Sequence, residues 1–152
     1  MQNLILFFVV LQVVLFFFMA LHDWIHLPPL TDIRALEKLH SAKFRLTWSI
    51  INGLMVLIPL LLTWLYQPQF PLWVLIVLVS AYGLMTIGTL FAWWIPYFFG
   101  SSAEHKAGFA EYHSTHHFLP PRGDNVIPNT FHVLLHLQVW TCLGIALYLL
   151  LR

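Results

Sequence analysis

Residues 4–21 read LILFFVVLQVVLFFFMAL, eighteen positions with a single glutamine and no charge. A helix needs roughly 20 apolar residues to cross the hydrocarbon core of a bilayer. Three further stretches have the same character: Leu46–Tyr66, Leu72–Ile95 and Val133–Leu151. Hydrophobic residues make up 60% of the 152 and charged residues only 9%. Mean hydropathy is +0.80. A soluble domain of this size could not hide that much apolar surface. The expected fold is an all-α integral membrane protein, a four-helix transmembrane bundle with helical cytoplasmic loops. It forms a single domain over residues 1–152, with loops at 22–45 and 96–132. The first stretch lacks a basic n-region and a clear small-residue cleavage site, so it reads as a mature helix rather than a signal peptide.

Charge sets the expected orientation. Six of the seven Lys and Arg residues (34, 38, 43, 45, 106 and 122) lie in the first and third loops; the seventh is Arg152. The positive-inside bias puts both loops in the cytoplasm and both termini outside, with Arg152 counting mildly against it. Trp64 and Trp73 suit the outer interface, and Trp24, Trp93 and Trp94 the inner one. No basic run is long enough to grip nucleic-acid phosphates. The lone Cys142 excludes an internal disulfide and reads as a buried small hydrophobe.

The first loop carries Ile33, Leu36, His40 and Phe44 at helical spacing, after a Thr31 cap. This predicts an amphipathic interfacial helix running into the second span. In the third loop, Ser101 followed by Glu104 has a capping-box pattern and predicts a helix reaching Phe118. At about 100° per residue, His105 and His116 would then lie within about 20° of each other. His113 and His117 would share their side, and Glu104 and Glu111 the other. Gly108 weakens this helix. Residues 120–125 form a turn whose embedded RGD is a chance match, and Asn129 or Thr130 caps the fourth span.

Within the spans, no Asp, Glu, Lys or Arg lies deep, which disfavours a charge-lined ion pathway. Gly83, Gly88 and Ala92 suit close helix contact, within a protomer or between copies. Pro59 and Pro96 kink or end helices. Phe7, Phe8, Phe16, Phe17 and Phe18 are expected to face lipid or another protomer.

Nine histidines remain, seven of them in three clusters. His22 and His26 read HDWIH. His113, His116 and His117 read HSTHH. His132 and His136 read HVLLH. His40 and His105 stand apart. Imidazoles four apart on a helix share a face and can hold one metal. A nitrogen-dominated set suits a transition metal, iron or zinc, over magnesium or calcium. The duller use of the same rings is hydrogen-bonded packing at the membrane interface.

These motifs resemble the histidine boxes of integral-membrane fatty-acid desaturases, hydroxylases and carotenoid hydroxylases. HDWIH has the HxxxH form and HSTHH the HxxHH form; HVLLH lacks the paired histidine. The resemblance implies two non-haem irons held by a cytosol-facing cluster. It also implies oxidation of an apolar or lipid substrate at the inner leaflet, with O2 and an external electron donor. The box residues are His22, His26, His113, His116, His117, His132 and His136. Glu111, Tyr112 and Asp124 are the candidates for acid–base work or for orienting the ligating rings. The alternative is a small oligomeric pore, transporter component or membrane effector whose histidines pack or sense pH.

Overall fold

A computed structural model describes the backbone of all 152 residues and every side chain except that of Glu111. Four helices are long and apolar enough to cross a membrane: Gln2–Leu21, Ala42–Tyr66, Leu72–Phe99 and Thr130–Leu150. The chain is a multi-pass integral membrane protein, all-helical among the described residues. We label Gln2–Leu21 α1, Ile33–Leu39 α2, Ala42–Tyr66 α3, Leu72–Thr89 α4, Ile95–Phe99 α5, Ala103–Gly108 α6 and Thr130–Leu150 α7.

The spans close into a ring. α1 packs on α3 and α7, and α4 packs on the same two helices. Phe8, Leu15, Val56, Val74, Leu78, Tyr82, Val139 and Cys142 fill the middle. Phe8 is therefore core, its ring 6.1 Å from that of Tyr82. Phe18 meets Phe131 edge-on at 4.9 Å. Of the five phenylalanines, Phe7 and Phe17 are exposed, each by about half. The core also has polar ties between helices. Gln12 Nε2 donates to Thr63 Oγ1 at 3.0 Å. Gln138 Nε2 donates to the Leu11 carbonyl at 3.0 Å. Neither partner is replaceable by water in hydrocarbon, so both ties fix which helices are neighbours.

Within one copy of the chain, Gly83 and Gly88 make no close helix contact. A Cβ at Gly83 or Gly88 would meet nothing within 4 Å, whereas at Gly53 it would lie 3.5 Å from Ala20 Cβ and 3.7 Å from Phe16. Those are ordinary van der Waals distances, so α1 and α3 pack closely at Gly53.

Three loop expectations are corrected. The first loop does not run as one helix into the second span. Asp32, not Thr31, caps α2, and the chain turns extended at His40 before Ser41 caps α3 by accepting from the Phe44 N–H. Two caps, each contributing about 1 kcal/mol, outweigh one uninterrupted helix. In the third loop the cap is Ser102, and α6 ends at Gly108. A glycine inside a helix costs about 1 kcal/mol relative to alanine. Breaking there lets Phe109 pack edge-on against Trp93 at 4.5 Å, a contact of similar size. The imidazole-rich helical face therefore does not form. Asn129 does cap α7, accepting from the His132 N–H.

Pro96 lies within the third span, not after it. Between α4 and α5 the residues Leu90–Trp94 form a π-helical turn, in which the Ile95 N–H bonds the Leu90 carbonyl. In an α-helix the Ala92 carbonyl would accept from residue 96, but proline has no N–H and its ring crowds that oxygen. The wider turn relieves the crowding. His105 Nε2 then donates to the Ala92 carbonyl at 3.0 Å. A loop histidine thus pins α6 to the kink of the third span.

Candidate functional site

The first turn of α7 sets the geometry of His132. Asn129 Oδ1 accepts from the His132 backbone N–H at 2.9 Å and from the ring Nδ1 at 2.7 Å. Asn129 Nδ2 donates to Thr115 Oγ1 at 2.9 Å, and Thr115 donates to the Tyr112 carbonyl at 2.6 Å. Because Oδ1 only accepts, His132 carries its proton on Nδ1 and its lone pair on Nε2. The ring lies between Trp93, 4.4 Å away, and Tyr112, 4.8 Å away. His22, His136 and His117 are the titratable rings near it.

His22 closes the end of α1. Its Nδ1 donates to the Phe18 carbonyl at 3.0 Å, and its ring is perpendicular to that of His132 with centroids 6.1 Å apart. Its Nε2 faces Asp23 Oδ1 at 3.1 Å. A neutral ring carries one N–H, so serving both the Phe18 carbonyl and Asp23 takes a second proton or a metal ion. His117 shows the same polarity. Its Nε2 donates to the Tyr112 carbonyl at 3.0 Å, while its Nδ1 is buried without a partner. Three rings from three parts of the chain each spend one N–H on a fixed oxygen. That is the arrangement that usually orients ligating imidazoles.

His136 is set the other way. The Trp94 indole N–H donates to its Nδ1 at 3.1 Å. An indole only donates, so the His136 proton sits on Nε2, and neither nitrogen is open to a metal. The remaining box residues lie outside this group. His26 and His113 are exposed. His116 is also exposed, its Nδ1 2.7 Å from Thr130 Oγ1. Outside the boxes, His40 stacks on Phe44 at 4.6 Å. Among the described acid–base candidates, Tyr112 touches the cluster and Asp124 does not. Asp124 is exposed and pairs with Lys106 at 2.6 Å, which holds its carboxyl below the ordinary range. The Glu111 side chain lies outside the described residues.

Two spaces meet at these rings. A small cavity of about 20 Å³ is lined by His22, Asp23, Asp32, Tyr112, Asn129 and His132 among others, room for one water or one ion. A larger one of about 260 Å³ runs into the bundle past His22, His132, His136, Met55, Met85 and Gly88. Asp32 ties the first loop to the third by accepting from the Ser114 hydroxyl at 2.7 Å. That bond and the Ala35 amide hold the Asp32 carboxyl below its ordinary range. The tie is therefore intact at neutral pH and is lost only as pH falls through the depressed value.

Among the described residues no three His, Cys, Asp or Glu side chains converge on one coordination point. His22 and His132 are neighbours with centroids 6.1 Å apart, Asp23 lies beside His22, and His117 is within electrostatic reach of His132. Three nitrogens and a carboxylate suit a single ion and are too few for the two irons that the histidine-box resemblance implies. Sequence reasoning missed Asp23, although it lies inside HDWIH. It also missed Asn129 as the partner of the His132 ring, although the spacing of three from a helix cap was a usable signal. No protein family, no curated protein and no solved structure matches the chain.

Proposed function

We propose that the protein is a histidine-based membrane metalloprotein. Its centre holds one transition-metal ion, iron or zinc, by His22, His117 and His132, with Asp23 beside them. The carrying observation is the shared polarity of these three rings, two of which, His22 and His132, line an ion-sized cavity with Asp23. The larger cavity is apolar apart from Asn52, Thr89 and the two histidines of α7 with His22 and Trp93. It suits an apolar or lipid substrate entering from the bilayer. The histidine-box resemblance gives the reaction class, a metal-dependent oxidation fed by an external electron donor. Metal content of protein purified without a His tag tests the site. His132→Ala and His22→Ala should each lower bound metal at least tenfold, and His40→Ala should leave it within twofold. Stoichiometric metal retained in a His22/His117/His132 triple alanine variant would sink the centre.

A second reading has its own observation. Trp94 bonds His136, and His105 bonds Ala92, so some of these imidazoles demonstrably serve as hydrogen-bond partners in packing. If the charge between His22 and Asp23 is a proton, the cluster is structural or pH-responsive, and a small oligomeric pore, transporter component or effector is the better description.

The loops are proposed to be cytoplasmic and both termini external, on the Lys and Arg distribution. Arg34→Cys and Arg122→Cys, each in a Cys142→Ala background, should label only from the cytoplasmic side. Labelling of both from outside intact cells would reverse the orientation.

A further inference from the structure

Residues 34–45 carry more positive charge than their surroundings neutralise. The three carboxylates of this loop are committed. Asp23 faces His22. Asp32 caps α2 and accepts from Ser114. Glu37 reaches across to Arg45 at 3.1 Å. Arg45 is itself buried, with Nη1 on the Asp23 carbonyl at 3.0 Å and its guanidinium 4.5 Å from the Trp24 ring centre. Arg34, Lys38 and Lys43 are left exposed, and none of them is in an ion pair among the described residues. In the third loop, by contrast, Lys106 pairs with Asp124 and Arg122 lies over Tyr97 and Phe98.

Position adds to charge. Arg34 and Lys38 are four apart on α2 and so share a face. Lys43 opens α3, the helix that enters the membrane here. Beside it, His40, Phe44 and Trp48 form a ladder of rings with centroids 4.6 and 6.1 Å apart. Leu39, Phe44 and Trp48 are about half exposed, at 54%, 46% and 46%. Apolar and aromatic side chains under a row of unpaired cations match the boundary between acyl chains and headgroups.

We propose that Arg34, Lys38 and Lys43 form a binding surface for the phosphate headgroups of acidic phospholipids in the leaflet at the loop end of the bundle. The α2 face presents two of the charges along the membrane surface, and Lys43 supplies the third where α3 enters. Each cation near an anionic leaflet strengthens binding by about fivefold at low salt. The apolar rim holds the acyl chains whatever the headgroup, so it contributes affinity without selectivity. This surface is independent of the metal reading and of which leaflet the loops face.

The test is native mass spectrometry of the full chain in detergent, titrated with phosphatidylglycerol or with phosphatidylcholine. Wild type should prefer phosphatidylglycerol by at least tenfold at low salt, and the preference should fade as salt rises toward about 0.5 M. The Arg34→Gln/Lys38→Gln/Lys43→Gln variant should lose the preference and keep its binding of phosphatidylcholine. Lys38→Gln alone, on an exposed helix face, should lose about fivefold and serves if the triple variant does not fold. Arg122→Gln is the control and should change little. Three outcomes would each overturn the proposal: an undiminished preference in the triple or single variant, an equal loss in Arg122→Gln, or displacement of the lipid by equimolar inorganic phosphate, which would mark a site for soluble anions.

Discussion

Chelation at neutral pH is expected to lower the thermal midpoint by on the order of 10 °C and to open residues 104–125 to protease. His22 ends α1, His132 begins α7, and His117 belongs to the loop between α6 and α7. An ion shared by these rings ties three separate segments together, so its binding free energy appears as folding free energy. With free ion at a thousand times its Kd, that term is about 4 kcal/mol. Each kcal/mol moves the midpoint of a chain this long by about 2–4 °C. Packed rings without a metal would be indifferent to the chelator. Acid is the poorer probe, because protonation disturbs ligating and packed imidazoles alike. An unchanged melting curve and protease pattern, in protein shown to be free of transition metal, would leave the histidines structural and favour the oligomeric reading.

Arg45→Ala should destabilise the fold by about 2–3 kcal/mol, assembled from three contacts of unequal weight. The Asp23 carbonyl loses its donor, at about 1–2 kcal/mol. Trp24 loses the guanidinium 4.5 Å from its ring centre, at about 1 kcal/mol. Glu37 contributes least, because its side chain is 53% exposed and rehydrates when released. Arg45→Lys should recover less than half, since an ammonium cannot reach the Asp23 carbonyl and the Glu37 carboxylate as a fork does. Glu37→Gln should stay within about 1 kcal/mol of wild type. Denaturant titration in detergent micelles measures all three. An Arg45→Ala variant within 0.5 kcal/mol of wild type would show that the buried guanidinium is not what holds the end of α1. The substitution should also reduce metal retention, because Asp23 is adjacent to His22 and loses its anchor.

The spans were legible because hydrocarbon imposes one requirement, sustained apolarity over a fixed length, and residues 4–21 meet it with Gln12 as the single polar residue. The Asn129 cap was legible for a similar reason: one side chain satisfies one local N–H. The third loop was not. Helical periodicity through His113 and His117 is a statement about residues 101–118 alone. The break at Gly108 depends on what Phe109 gains from Trp93, which is distant in sequence. The same holds for the first loop, where Ser41 and Arg45 both act against continuity at His40. The site was half legible. The imidazoles announce themselves by type, but which nitrogen is open depends on partners such as Trp94, Tyr112 and Asn129. The exclusion of His136 turns on one indole N–H, and no spacing rule contains it.

The π-helical turn at Leu90–Trp94 holds one residue more than its rise along the axis requires. It therefore sets a rotational phase between the two halves of the third span. Upstream, Tyr82 and Met85 face the core; downstream, Tyr97 donates to the Pro120 carbonyl at 2.9 Å. Drawn out as regular α-helix, the same residues would still be long enough for the bilayer. They would also turn one half against the other by about 100°. Trp93 and Trp94 could not then reach His132 and His136 while Tyr97 kept its place. Membrane thickness is indifferent to that change, but the rings the helix serves are not. The wider turn absorbs one residue without passing its rotation on, so both halves keep the faces that their partners require.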